Sequence, residues 1–201
     1  SFAVLFITVL QAQSINKIIN VKQVEKIEKI LSADDMQGRR TFTPGIAKAS
    51  AFIETEFKKI GLHTFNGADN YRQEFFMYQS VNATADILIN GKAISDSLTA
   101  CFSYKPQVTL NQNSDLEVVK ITATDRFGPK FYEYYQSKKN LLVLVDTSFN
   151  NRFANIKHFE NLTATPGDNA VVFVLSTENA VAFSISLTNT VTKKPLNNVV
   201  G

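Results

Sequence analysis

The chain offers few side chains suited to catalysis. Among its 201 residues are two histidines, His63 and His158, and one cysteine, Cys101. A metal site needs converging His, Asp, Glu or Cys ligands. Neither histidine has a second one near it, and no H-x-D, H-E-x-x-H or C-x-x-C spacing occurs. Both are therefore read as structural rather than metal-binding. Cys101 lies in "LTACFSYK" with no basic partner close in sequence, the setting of a buried, unreactive thiol. No G-x-S-x-G, phosphate-binding loop or G-x-G-x-x-G is present.

The densest charge is in "DDMQGRR", where Asp34, Asp35, Arg39 and Arg40 precede a helical pattern. Adjacent carboxylates diverge from one another, so helix termination or capping fits Asp34 and Asp35 better than paired acid–base work. Two sequons, Asn82-Ala83-Thr84 and Asn161-Leu162-Thr163, matter only in a eukaryotic secretory host. The aromatic run Phe131, Tyr132, Tyr134 and Tyr135 fits either a binding surface or a helix packed on a sheet. No catalytic, cofactor-binding or metal-binding residue is assigned within the chain.

The elements around these residues are better marked. Val21, Val24, Ile27, Ile30 and Leu31 give one apolar face to a helix. A second helix has Thr43 as cap, Pro44 in its first turn and Gly61 just past its end. Ile46, Ala49, Ile53, Phe57 and Ile60 predict its buried face, with Glu54 and Lys58 paired on the exposed side. "YRQEFFMYQ" (71–79) reads as a strand, and "VNATADILINGKAI" as a hairpin turning at Asn90-Gly91. "DLEVVKI" is a strand, and "GPKFYEYYQSKKN" a short helix opened by Pro129. "NLLVLVD" and "NAVVFVLS" are strands buried on both faces, and "AVAFSISL" has one buried face. Strand, helix and buried strand in succession predict a βαβ element inside a β-rich module. "KPLNNVVG" begins a further strand.

The hydrophobic content of 44%, charged content of 19% and net charge of +3 describe an ordinary globular chain. Its lysines are scattered, which argues against a nucleic-acid footprint. A single cysteine excludes an internal disulfide framework and a Cys-rich zinc site. The apolar run Phe2–Leu10, followed by small and polar residues, is too short to span a bilayer. It reads as a secretory signal peptide lacking its first residues, over 1–13, so export to the periplasm, cell surface or medium is expected. Texture changes near Ser80 and again near Pro195. The organisation expected is 14–79 as the start of one domain, 80–195 as an inserted β-rich module, and 196–201 as the strand on which the first domain resumes.

The stretch from Leu31 to Leu62 resembles the start of the mature chain in a family of secreted zinc aminopeptidases, which also includes glutamate carboxypeptidase II and the transferrin receptor. The residues that carry the resemblance are Leu31, Gly38-Arg39-Arg40, Thr43-Pro44-Gly45 and Phe57 through Gly61-Leu62. Tyr71, Gln73 and Phe75 match a Y-x-Q-x-F strand, and Asn198 to Gly201 match an N-V-V-G strand. The match covers about Leu31 to Gln79 and the last six residues, and the middle is only loosely similar. The resemblance implies an α/β fold: two helices and a strand of a zinc-peptidase α/β/α domain, then an inserted module like a protease-associated or lid domain. It implies two zinc ions and a peptide substrate in a full-length protein. The family's ligands, a His-x-Asp pair, a Glu-Glu pair, a further Asp and a distant His, follow the N-V-V-G strand. None is matched here, so an N-terminal portion inactive by itself is expected. A non-catalytic, receptor-like relative is the alternative. No transmembrane span is expected, and oligomeric state is left open.

Overall fold

The computed structural model describes residues 20–201, so the run read as a signal peptide lies outside the described residues. In chain order the helices are α1 (Val21–Leu31), α2 (Pro44–Lys59), α3 (Phe127–Tyr135) and α4 (Asn150–Ile156). The strands are β1 (Arg72–Ile89), β2 (Lys92–Ala93), β3 (Thr99–Ser103), β4 (Gln107–Asn111), β5 (Glu117–Ile121), β6 (Leu141–Val145), β7 (Asn161–Thr163), β8 (Ala170–Leu175) and β9 (Phe183–Val199). The protein is thus mixed α/β. It divides into two compact units: the described residues up to Gln73 with Asn197–Gly201, and Glu74–Leu196.

In the first unit, α1 is capped by the Asn20 side chain, which accepts from the Lys22 N–H at 3.0 Å. Its apolar face is not buried: Val21 and Val24 are exposed, and Ile27, Ile30 and Leu31 are half-buried. Helix α2 follows Thr43 and has Pro44 in its first turn, yet the Thr43 hydroxyl donates to the Arg40 carbonyl at 2.6 Å instead of capping. Past its end, Gly61 is left-handed (φ 73°). Leu62 N–H then reaches Phe57 O at 3.1 Å, and Gly61 N–H reaches Lys58 O at 3.2 Å. These two bonds close a Schellman motif, which only a residue tolerant of positive φ completes without strain. Gly45, Ala49 and Ser50 form the buried stripe of α2, while Ile46, Ile53 and Phe57 are half-buried. Ile60, expected on that stripe, is 62% exposed because the helix has already ended there. Tyr71 is buried edge-on against Phe57, at 5.8 Å between centroids, and its hydroxyl donates to the Leu62 carbonyl. The Val200 N–H reaches the Tyr71 carbonyl at 2.8 Å, which ties the last residues to this unit.

The second unit is built on two sheets. In one, β3-β8-β6-β5, the strands β5, β6 and β8 are parallel and β3 is an antiparallel edge. β5, α3 and β6 make the expected βαβ unit, with α3 starting at Phe127 rather than at Pro129. Every residue of β6 and β8 is buried, as continuous apolar runs require of a strand covered on both faces. One face carries α3 and α4: Phe127, Phe131, Phe153 and Ile156 pack on Val143, Val145, Val171 and Phe173. The other face, with Leu142, Leu144, Val172 and Val174, packs on Ile87, Val108, Ile185 and Leu187 of the second sheet.

That second sheet has the order β2-β1-β9-β4, with β7 also paired to β1. The 18-residue β1 joins what the sequence reads as a strand and the first arm of a hairpin. The hairpin itself is present: Asn90 (φ 50°) and Gly91 (φ 78°) turn β1 into β2. β9 runs 17 residues, so the strand expected to begin near Leu196 is the end of one that starts at Phe183. Contacts Gln79–Lys194, Asn82–Asn189 and Asn90–Ala182 run in opposite senses along β1 and β9, which makes the pair antiparallel.

Candidate functional site

The "DDMQGRR" segment is a 3-10 stretch (Asp34–Arg39) broken by left-handed residues. Gln37 (φ 49°), Gly38 (φ 61°), Arg39 (φ 54°) and Phe42 (φ 65°) all adopt positive φ. Each non-glycine residue held so is strained, by roughly 1–3 kcal/mol in such positions, and persists because neighbours fix it. The Gln37 side-chain oxygen accepts from Gly45 N–H at 3.3 Å, and Arg39 Nη1 donates to Leu31 O at 2.8 Å, closing the end of α1. Asp35 pairs with Lys48 at 3.1 Å, with both side chains largely exposed. Asp34 and Asp35 therefore do not cap a helix through their side chains, and Arg39 serves the carbonyl end of one. Gly45 has the tightest setting: a Cβ placed there would lie 1.8 Å from the Met36 carbonyl oxygen. The loop is folded onto the first turn of α2, and only hydrogen fits between them.

Nearby in this unit, Arg72 Nε donates to Glu54 Oε2 at 3.1 Å, closer than Lys58 at 3.7 Å. The Arg72 hydrogen bond holds the Glu54 carboxyl below its ordinary range. His63 in this unit and His158 in the other are both exposed. Cys101 is half-buried as a residue, but burial of its thiol pushes the pKa up to about 12, which suits an inert sulfur. Among the described residues no three His, Cys, Asp or Glu side chains converge as a metal would need. The residues described here do not fit the two-zinc set that the family resemblance implies.

The carboxyl ends of β5, β6 and β8 border a cavity of about 150 Å³ that includes Thr122, Asp146 and Ser176. In parallel α/β sheets ligands favour this edge where the strand order reverses. Here β5, β6 and β8 succeed one another in a single direction, so those strands create no such crevice. The carboxylates at this edge are also turned back on their own loops. Asp125 accepts from the Thr122 N–H and hydroxyl, both at 2.7 Å, and Asp146 accepts from the Ser148 N–H at 2.9 Å. The Thr122 hydroxyl and N–H hold the Asp125 carboxyl below the ordinary range, and the Ser148 side chain, then its N–H, do the same for Asp146.

The larger recess of the second unit is a cleft of about 610 Å³ lined by the ends of β3 and α3, by β7 and by the loops that follow them. Its aromatic wall is Phe102, Tyr104 and Tyr135, with Phe102 and Tyr135 edge-on at 5.2 Å. Asn169 fixes the opposite loop by donating to the carbonyls of Ser137 at 2.9 Å and Lys139 at 3.2 Å. The Tyr135 hydroxyl donates to Asn161 Oδ1 at 3.1 Å. The Tyr104 hydroxyl is buried and has no partner at hydrogen-bonding geometry. Burial, and then the neighbouring Tyr135 hydroxyl, push its pKa well above the usual phenol value. A buried polar group left so costs about 1–3 kcal/mol. The aromatic run of α3 divides its duties. Phe131 packs into the core, Tyr132 is 49% exposed, and Tyr135 serves both core and cleft. No sequence pattern singles out Tyr104, Ser137 or the 164–169 loop. Of the other lining residues, the aromatic run flags Tyr135 and the sequon flags Asn161 to Thr163, with Asn161 buried in the folded chain.

No protein-family model matches the chain, and no curated protein matches it. No helix among the described residues is long and apolar enough to cross a membrane.

Proposed function

We propose that the chain is the N-terminal portion of an exported zinc aminopeptidase-like hydrolase, with Glu74–Leu196 as a protease-associated type of module inserted after its first helices. One observation supports this most. Most of the motif-bearing residues, though distant in sequence, belong to a single compact unit: α2 with its Gly61 end, Tyr71, Gln73 and Asn198–Gly201, with Phe75 of the Y-x-Q-x-F match falling in the other unit. A strand that returns to the unit it left, after an intervening module, is the arrangement the family resemblance implies. In this reading the two zinc ions and the hydroxide they activate belong to residues that follow Gly201 in a longer protein. The residues in hand would build the scaffold beside that centre and contribute no ligand. Hydrolysis of N-terminal residues from peptides is the activity proposed for the whole protein.

The decisive experiment is to extend the chain by the next hundred or so codons of its gene, about the size that completes a domain. An H-x-D sequence after a hydrophobic strand, with zinc-dependent release from a leucyl-aminoacyl reporter, is the expected result. An extension without those ligands sinks the enzymatic reading and favours a receptor-like relative. The 201-residue chain alone, with zinc added, is expected to release nothing from the same reporter.

A further inference from the structure

Strand β7 pairs with β1 along one edge, through Thr163–Tyr78, Leu162–Gln79 and Asn161–Ser80. Among the described residues no strand pairs with its other edge. Side chains alternate between the two faces of a strand, so three consecutive residues line one recess when the strand presents its edge to it. Asn161, Leu162 and Thr163 all line the 610 Å³ cleft. The edge that β7 turns away from β1 therefore lies beside the cleft, next to the aromatic wall, whose Tyr135 hydroxyl meets Asn161 at 3.1 Å.

The other features select among occupants. The volume lies within the roughly 300–1,000 Å³ typical of ligand sites. The charged lining residues are Lys138 and Asp168, one of each sign and both exposed, so the cleft favours neither anions nor cations. The Tyr104 hydroxyl is buried, so Tyr104 offers the cleft its ring and not its hydroxyl. A sugar could stack on the rings, but it would leave the regular N–H and C=O spacing of a strand edge unmatched. An extended peptide carries that same spacing, which is how strand addition gains affinity while pockets read side chains.

We propose that this cleft binds an extended, uncharged peptide segment, which adds as a strand to the free edge of β7 and places one apolar side chain against Phe102, Tyr104 and Tyr135. The inference concerns binding alone and does not depend on the hydrolase reading, so either can fail without the other.

The test is a titration of the isotopically labelled 201-residue chain, followed by amide chemical shifts. The probes are N-acetylated, C-amidated tetra-alanine and its variants with leucine or phenylalanine at the second position. Saturable amide shifts at residues 161–165, 167 and 168 and at Ser137 are expected, tightest for phenylalanine. N-methylation of the central peptide amide should weaken binding about tenfold or more, as loss of a strand hydrogen bond predicts. Thr165→Trp, on the exposed rim, should block the cleft with an unchanged circular dichroism spectrum. Tyr104→Leu offers a second variant, which removes one ring of the wall and is expected to weaken binding severalfold. Three results would overturn the proposal. One is no saturable shift up to about 5 mM peptide, beyond the millimolar range of weak complexes. Another is equal binding by the N-methylated peptide or by Thr165→Trp. The third is cellotriose binding at these residues where the peptides fail.

Discussion

Consider replacing Gly45 by alanine. Gly45 is the second residue of α2, and an alanine methyl there would sit 1.8 Å from the Met36 carbonyl oxygen and 2.4 Å from its carbon. Both atoms are backbone, so no side chain can swing aside. To reach even 3.0 Å, the carbonyl must retreat by at least 1.2 Å. That movement pulls on a loop whose turns are fixed by Gln37 on Gly45, Thr43 on Arg40 and Arg39 on Leu31. Overpacking of this kind costs about 1–3 kcal/mol, and loss of the Gln37 bond adds about 1 kcal/mol. The expected destabilisation is therefore about 2–4 kcal/mol, confined at first to the first unit. Hydrogen exchange of residues 33–50, read by mass spectrometry, should accelerate on the order of 30- to 1,000-fold. Two other glycines calibrate the result. At Gly38 a Cβ meets nothing within 4 Å but φ is +61°, so Gly38→Ala should cost only the left-handed backbone term, about 1–2 kcal/mol. Gly128, inside α3, has ordinary φ but precedes Pro129, whose ring disfavours a helical residue carrying a Cβ, so the usual gain of a helical glycine-to-alanine change is offset and Gly128→Ala should leave its own unit within about 1 kcal/mol of the parent. A Gly45→Ala chain protected as well as the parent, or no worse than Gly38→Ala, would refute the packing argument.

Three further outcomes are expected. Cys101 should resist iodoacetamide at pH 8 in the native chain and react readily once unfolded; with its pKa raised from 9.0 to about 12, stability should decline as pH rises through that window, where only the unfolded state ionises. Rapid native alkylation would show an accessible thiolate. Glu54, whose pKa is lowered chiefly by the Arg72 hydrogen bond, contributes stability that is present above the ordinary carboxylate value and lost as pH falls through its depressed one. A carbon-13 titration should find that value rising toward normal in Arg72→Gln, and an unmoved titration would contradict the assignment. Tyr104→Phe removes an unpartnered buried hydroxyl and should stabilise the second unit by about 1 kcal/mol in urea unfolding; a loss of similar size would mean that the hydroxyl is bonded to Tyr135.

Local features were legible wherever the physics is local. The span of α1 and the end of α2 at Gly61 follow from apolar spacing and from the left-handed backbone a Schellman motif needs. Strands β6 and β8 announce themselves as unbroken apolar runs, and Asn90-Gly91 fixes a hairpin through its own backbone preference. Less was legible where a partner lies far along the chain. β1 and β9 read as broken pieces because each depends for its length on hydrogen bonds to a strand about a hundred residues away, with little periodicity at its outer end. Thr43 looks like a cap by type and position, but its hydroxyl donates to Arg40, and the Gly45 N–H a cap would serve is taken by the Gln37 side chain, which the left-handed loop brings to it.

By itself, then, the sequence determined a mixed α/β chain, its principal helices and buried strands, and the glycine and proline positions that punctuate them. Those follow from periodicity and backbone preference, which act over a few residues. The tertiary structure alone decided that Met36 and Gly45 meet with room for hydrogen only, and that Phe102, Tyr104, Tyr135 and the edge of β7 enclose one cleft. Such juxtapositions depend on long-range strand register and helix packing. A one-dimensional pattern carries little of that information, because a residue's partners there are set by the fold and not by its neighbours.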